Sequence, residues 1–107
     1  MTPEGKEMAK FRDWLKASKL EHIRLALQPC VPRGWPDILV LPPGGMPIFI
    51  EMKAPGAAPN DKQKQKLAIL DRLGYIHGWF DNADAASQFI IDNVAIIFKA
   101  LDAAAAS

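Results

Sequence analysis

Apolar positions change their spacing several times along the chain, and each change predicts an element. Met8, Phe11 and Leu15 recur at helical spacing, with Trp14 at the edge of the stripe. Thr2 followed by Pro3 supplies an N-cap and a first helical residue, so a helix is predicted from Pro3 to near Ser18. Residues 22–27 then alternate, which places Ile23, Leu25 and Leu27 on one face of a strand, and Pro29 and Pro32 break it. Residues 38–41 form a short, wholly apolar strand. Pro42-Pro43-Gly44-Gly45 is a turn, and residues 48–53 make the next strand. Two apolar strands around a tight glycine-containing turn read as a hairpin.

Beyond a loop at residues 55–59, Asn60 caps a helix whose inward face carries Leu67, Leu70 and Leu73, and Gly74 ends it. Residues 75–80 read as a fourth strand. Asn82 or Asp84 opens a helix running through Ile91, and the very apolar residues 93–101 read as a last helix. The Ala-rich end, residues 103–107, is expected to fray. The resulting order, α-β-β-β-α-β-α-α, predicts an α/β fold with a mixed four-stranded sheet flanked by helices. At 107 residues, without internal repeats or a long linker, one domain spanning residues 1–107 is expected.

Charge and cysteine content narrow the setting. Thirteen Lys and Arg against twelve Asp and Glu give a net charge of +1, so any nucleic-acid surface must be local. The single Cys30 excludes an internal disulfide framework and suggests a reducing, cytoplasmic location. The amphipathic start lacks a signal-peptide apolar region, and no apolar run is long enough to span a membrane.

The chemistry gathers at Pro36-Asp37 and, fourteen residues after Asp37, at Glu51-Met52-Lys53. A strand projects alternate residues to one side, so Glu51 and Lys53 share a face while Ile50 and Met52 take the other. Asp37 opens the partner strand near the level of Glu51. Two carboxylates and an amine therefore surround one point, with the Met52 carbonyl as a further ligand. Such a donor set suits Mg²⁺, with Mn²⁺ able to substitute. An acid two places from a lysine is commonly a solvated ion pair. Here the preceding Ile48-Phe49-Ile50 is wholly apolar, so the charges lie at the end of a buried strand, where they are costly without partners.

The segments Arg33-Gly34-Trp35-Pro36-Asp37-Ile38-Leu39 and Ile48-Phe49-Ile50-Glu51-Met52-Lys53-Ala54-Pro55-Gly56, followed by Gln63, Leu67, Leu73 and Gly74, resemble the VRR-NUC nuclease domain of the PD-(D/E)XK superfamily. The likeness covers roughly residues 2–91. It implies a restriction-endonuclease-like core, with Asp37 and Glu51 as metal ligands and Lys53 as the catalytic lysine. It also implies that Gln63 supports the site and that Glu4, in Pro3-Glu4-Gly5, approaches the metal. The activity implied is Mg²⁺-dependent cleavage within DNA leaving a 5′-phosphate. Stand-alone phage relatives act on branched DNA, such as four-way junctions, as homodimers, which implies a host-cytoplasm setting. One departure is Asn60-Asp61-Lys62-Gln63 where the family often has Ser-Pro-Glu-Gln; the capping role survives.

Several residues keep two readings. On a helical wheel Glu4 lies at the centre of the Met8, Phe11 and Leu15 stripe, so it faces inward or fringes the first turn in solvent. Glu7, at the stripe's edge, is the weaker candidate. Gln63 supports the site, or reaches back to Asn60 as a capping-box partner, or both. Lys62, Lys64 and Lys66, with Arg72 nearby, hold phosphates or form a solvated face. Arg33 and Trp35 touch DNA, or Trp35 is core. His22, His77 and Cys30 lack zinc-ligand spacing. Val94, Ile96, Ile97, Phe98 and Leu101 run around much of a helix, and they either close the core or meet a second copy of the chain. The rival to an enzyme is a non-catalytic DNA-binding module on the same scaffold.

Overall fold

A computed structural model describes residues 1–106. Helix α1 spans Pro3–Ala17, with the Thr2 hydroxyl accepting from the Gly5 N–H at 3.0 Å. It buries Met8, Phe11 and Leu15, and Trp14 stacks on Phe11 at 6.3 Å between centroids. Strand β1 follows at Glu21–Arg24, β2 at Ile38–Leu41, β3 at Ile48–Met52 and β4 at Ile76–Phe80. Helix α2, Asp61–Leu73, connects β3 to β4, and α3, Ala83–Ala106, ends the described chain.

The sheet order is β1-β2-β3-β4. The first three strands run antiparallel, while β3 and β4 run parallel, as a connection through a helix requires. Ile38, Val40, Ile48, Ile50 and Met52 point to one face and pack with Met8, Phe11, Leu15, Ala83, Ala86 and Ile90. Helices α1 and α3 therefore cover that face. Helix α2 covers the other, where its Leu70 is buried. Because side chains alternate along β3 and Ile48, Ile50 and Met52 take the core face, Phe49, Glu51 and Lys53 face α2. Near this end of the sheet the ladder continues past β3, through the Lys53 N–H donating to the Phe80 carbonyl at 2.8 Å.

The structure departs from the sequence expectations at four places. The alternation at residues 22–27 becomes a strand only to Arg24, and Leu25–Leu27 form a 3₁₀ turn. Arg24 pairs with Ile38, and beyond Ile38 the partner chain reaches Pro36, which has no N–H to donate. Leu27, in that turn, is exposed, and so is Ile23, on the edge strand β1 itself. On α2, Leu70 is buried but Leu73, in the last turn, is exposed.

The two helices expected after β4 are one, so the order is α-β-β-β-α-β-α. Residues 92–93, an Asp-Asn pair, lie within it without a proline or glycine to stop the helix, and the Asn93 side chain bonds back to the Phe89 carbonyl at 2.8 Å. Residues 103–106, expected to fray, continue the helix, as alanine's high helix propensity favours. Ser107 lies outside the described residues.

Candidate active site at the end of the sheet

The local sequence aims three side chains at one end of the sheet. Pro36, buried and unable to pair, ends the β1–β2 ladder and leaves Asp37 just ahead of β2. Its carboxylate crosses to β3, where Oδ2 accepts from the Met52 N–H at 3.0 Å. Ile38 pairs with Ile50, which sets Asp37 level with Glu51. Glu51 and Lys53 share the α2-facing side, and Lys53 Nζ lies 3.6 Å from Glu51 Oε1.

Gln63 arrives from α2 with two tasks. Asn60 caps the helix by accepting from the Gln63 N–H at 2.9 Å, and Gln63 Oε1 accepts from the Asn60 N–H at 2.9 Å. The same amide spends its Nε2 on Glu51 Oε1, at 3.1 Å. Both readings offered for this glutamine therefore hold as geometry. The cap fixes the side chain, and the fixed side chain holds the glutamate.

Glu51 is the electrostatic centre of this end of the sheet. It is 2% exposed, the one charged residue among the buried side chains described. Burial pushes its carboxyl up to about 8 from the usual value of 4.5, with the Asp37 charge and contact adding to the rise and Lys53 opposing it. Oε1 has the two partners named above, whereas Oε2 is buried with none. A buried acceptor without a partner is costly, and such atoms in native proteins commonly mark a missing ion or water. Asp37 and Glu51 supply hard oxygen donors, so the residues fit a divalent cation such as Mg²⁺, which needs only one or two carboxylates.

The other sequence-derived residues are distributed around this centre. Glu4, in the first turn of α1, is exposed rather than buried. It lines a cleft of about 420 Å³ with Asp37, and its charge reaches Glu51 as the smallest of the influences raising that carboxyl. Among the described residues no three His, Cys, Asp or Glu side chains converge as metal ligands. Glu4 thus stands at the rim rather than beside the carboxylate pair. Glu7 turns away to cap α3, accepting from the Ala83 N–H at 3.0 Å, and that bond holds its carboxyl below the usual range.

Arg33, Trp35 and Gln63 line a second cleft, of about 200 Å³, that also contains Asp37. Lys66 Nζ sits 4.7 Å over the Trp35 ring, so Trp35 is half-buried beneath a cation. Gly34, at φ 96°, lets this loop lie against Lys62 and Lys66; a Cβ there would stand 2.8 Å from Lys62 Cγ. Lys62 and Lys66 therefore flank the second cleft. Lys64 does not join them, lining a separate hollow with His77 and Trp79. Arg72 is in the last turn of α2, about 14 Å along the axis from Gln63.

His22 and His77 each bond a backbone carbonyl two residues earlier, through Nδ1. Sequence reasoning passed over Arg12 and Arg24, which line the larger cleft with Glu4 and Asp37. Arg12 lies on the polar fringe of a helix and Arg24 at a strand end, and only the fold brings them together.

No protein-family profile matches the chain. Over 55 residues it is 44% identical to a phage protein named “Putative nuclease p44”, from Acyrthosiphon pisum secondary endosymbiont phage 1. The match covers 51% of this chain and 59% of that protein, so the chain spans less than two thirds of the curated relative. A solved VRR_NUC domain superposes with a TM-score of 0.73 at 21% identity, covering 84% of this chain and 96% of its own. A second VRR_NUC domain protein gives 0.60 at 18%, covering 92% and 88%. The chain accordingly shares the α/β fold of these solved VRR-NUC domains, with a mixed four-stranded sheet flanked by helices.

Proposed function

We propose that this chain is a divalent-metal-dependent endodeoxyribonuclease that hydrolyses phosphodiester bonds in DNA, selecting branched structures such as four-way junctions. The observation that carries the reading is Glu51: buried, raised to about 8, and with one oxygen lacking any partner, beside Asp37 and Lys53. A non-catalytic DNA-binding module has no use for a buried carboxylate of this kind, which destabilises the fold unless a cation offsets it. The motif likeness to VRR-NUC nucleases and the phage protein named as a nuclease support the same assignment.

Asp37, Glu51 and the Met52 carbonyl would hold Mg²⁺, or Mn²⁺ in its place. The bound ion would supply Lewis-acid stabilisation of the phosphate and a nucleophile at neutral pH. The chain's own groups do the positioning. The Met52 N–H fixes the Asp37 carboxylate, and Gln63 fixes Glu51 through Oε1, which leaves Oε2 free for the ion. The Lys53 ammonium, 14% exposed, lies between Glu51 and solvent, where it orients the attacking water and offsets charge building on the phosphate oxygens. Water attacks phosphorus in line and the 3′ oxygen leaves, which yields a 5′-phosphate.

Arg33, Lys62 and Lys66 flank the scissile position from the α2 side and hold backbone phosphates, and Lys64 contributes only if DNA wraps around that helix. Binding of this kind is salt-dependent and weakly sequence-dependent. Glu4 at the rim adds acidity near the ion rather than a direct bond.

Two symmetric cuts across a junction require two such sites, hence a homodimer. Ile96, Phe98 and Leu101 are exposed on α3, whereas Ile97 is buried and Val94 half-buried against the core. Ile91 and Phe98, which line one hollow with Trp14 and Val94, offer the apolar surface on which a second copy would pack, while Ile96 lies on another side of the helix. No described helix is long and apolar enough to cross a membrane. A panel of labelled duplex, flap, splayed-arm and four-way-junction DNA, incubated with Mg²⁺, with Mn²⁺ and with chelator, tests the reading. Metal-dependent products, most abundant from the junction, are expected; uncut DNA throughout would remove it.

A further inference from the structure

The larger cleft contains two cations that the mechanism above leaves unused. Arg12 projects from α1, and Arg24 is the last residue of β1. Arg24 pairs with the core residue Ile38, so it lies on the sheet face that α1 covers. Both line the cleft with Glu4 and Asp37. In each the Nε atom is buried with no hydrogen-bond partner. Among the described residues, the ion pairs are Lys10–Glu7, Lys53–Glu51 and His77–Asp71, and neither arginine is in them. Asp37 is already held by Met52, and Glu4 stands exposed at the rim. Two guanidinium groups thus line one concavity, and among the described residues neither has a carboxylate partner to offset its charge.

We propose that Arg12 and Arg24 form a fork that grips a DNA backbone phosphate adjacent to the one being cut. The inference rests on the nuclease reading and extends it by naming where the strand runs. With Nε inside, each guanidinium faces the cleft end-on, and its two terminal nitrogens present a pair of donors that match two phosphate oxygens. Asp37 lines the cleft, so a strand with its scissile phosphate there brings a neighbouring phosphate to the two arginines. Ala26 and Asp37 line both this cleft and the one beside Arg33 and Gln63. The strand therefore crosses the end of the sheet, with one flank on Arg12 and Arg24 and the other on Arg33 and Lys62.

The test uses the full chain and a fluorescein-labelled DNA duplex, with Ca²⁺ replacing Mg²⁺ so that binding is read without cleavage. Arg12→Gln and Arg24→Gln are each expected to weaken binding about tenfold. Each should also make the plot of log affinity against log salt shallower by about 0.9, the value of one lost phosphate contact. Arg12→Lys and Arg24→Lys keep the charge but not the fork; they should retain the salt slope and still bind more weakly than wild type. If the glutamine variants unfold, the lysine variants carry the comparison. Wild-type affinity and slope in the folded variants, alongside wild-type cleavage with Mg²⁺, would overturn the fork and leave the nuclease reading standing. A wild-type chain that neither binds nor cuts DNA would overturn both.

Discussion

Replacing Glu51 by glutamine should make the metal-free protein more stable at alkaline pH while removing its activity. The folded carboxyl ionises at about 8, against 4.5 for an ordinary glutamate. Below pH 4.5 the folded and unfolded forms are both protonated there. Between 4.5 and about 8 the folded form keeps a proton that the unfolded chain has released, so stability falls as pH rises. The slope is about 1.4 kcal/mol per pH unit, and over that interval the loss approaches roughly 5 kcal/mol. That is comparable to the whole stability of a small domain.

Glutamine removes the charge, with the Lys53 attraction already contained in the value of about 8, but it buries an amide at a cost of about 2 kcal/mol. A net gain of roughly 3 kcal/mol at pH 8 remains, or about 12–15 °C in Tm. Thermal unfolding in EDTA at several pH values from about 5 to 9 reads it directly. Wild type should lose stability across that range, and the variant much less. Mg²⁺ should restore wild type and leave the variant unmoved. Parallel pH profiles for the two proteins would refute the claim that Glu51 is a costly buried carboxylate.

Asp37→Asn should abolish Mg²⁺ binding by calorimetry, since it removes one of the two carboxylates while its amide oxygen can still accept from the Met52 N–H; an unchanged isotherm would exclude Asp37 as a ligand. Gln63→Ala should cost about 1 kcal/mol through the lost capping-box contact and also lower the cleavage rate, because Glu51 loses its Nε2 partner. A variant less stable but fully active would confine Gln63 to capping. Sedimentation at micromolar concentration should give a dimer that Phe98→Glu breaks; a concentration-independent mass near the 11.8 kDa of one chain would rule the dimer out.

Much of the fold was legible because its elements carry local signals. Thr2-Pro3, Asn60 and Gly74 fix helix ends through their own caps, and each helix boundary they predict is observed to within a residue. The errors fell where a neighbour decides. Arg24 ends its strand because Pro36, twelve residues later, cannot pair, and periodicity within residues 22–27 contains no trace of that. Asn93 inside α3 was read as a boundary, but a helix packed on β3 and β4 passes through it.

At the candidate site, the Glu51–Lys53 face follows from strand alternation, and the level of Asp37 follows from the hairpin. The wheel sets Glu4 on the stripe side of α1, and the structure puts it in the cleft that contains Asp37, but a stripe does not say whether anything covers its first turn. Arg12 and Arg24 were invisible for a related reason. Their partnership depends on the packing of α1 against the end of β1, and neither position departs from an ordinary surface cation in sequence.

The central claim is that Asp37, Glu51 and Lys53 cut DNA together with a divalent ion. The most direct measurement is single-turnover cleavage of a labelled four-way junction by wild type and by Lys53→Ala, with Mg²⁺ and with EDTA. Lys53→Ala retains both carboxylates and therefore the ion, which a Mg²⁺-induced rise in Tm would verify in the same sample. Wild type should cut only with Mg²⁺, and Lys53→Ala should bind the junction and the ion without cutting. Near-wild-type cleavage by Lys53→Ala, or cleavage by wild type that persists in EDTA, would contradict the account.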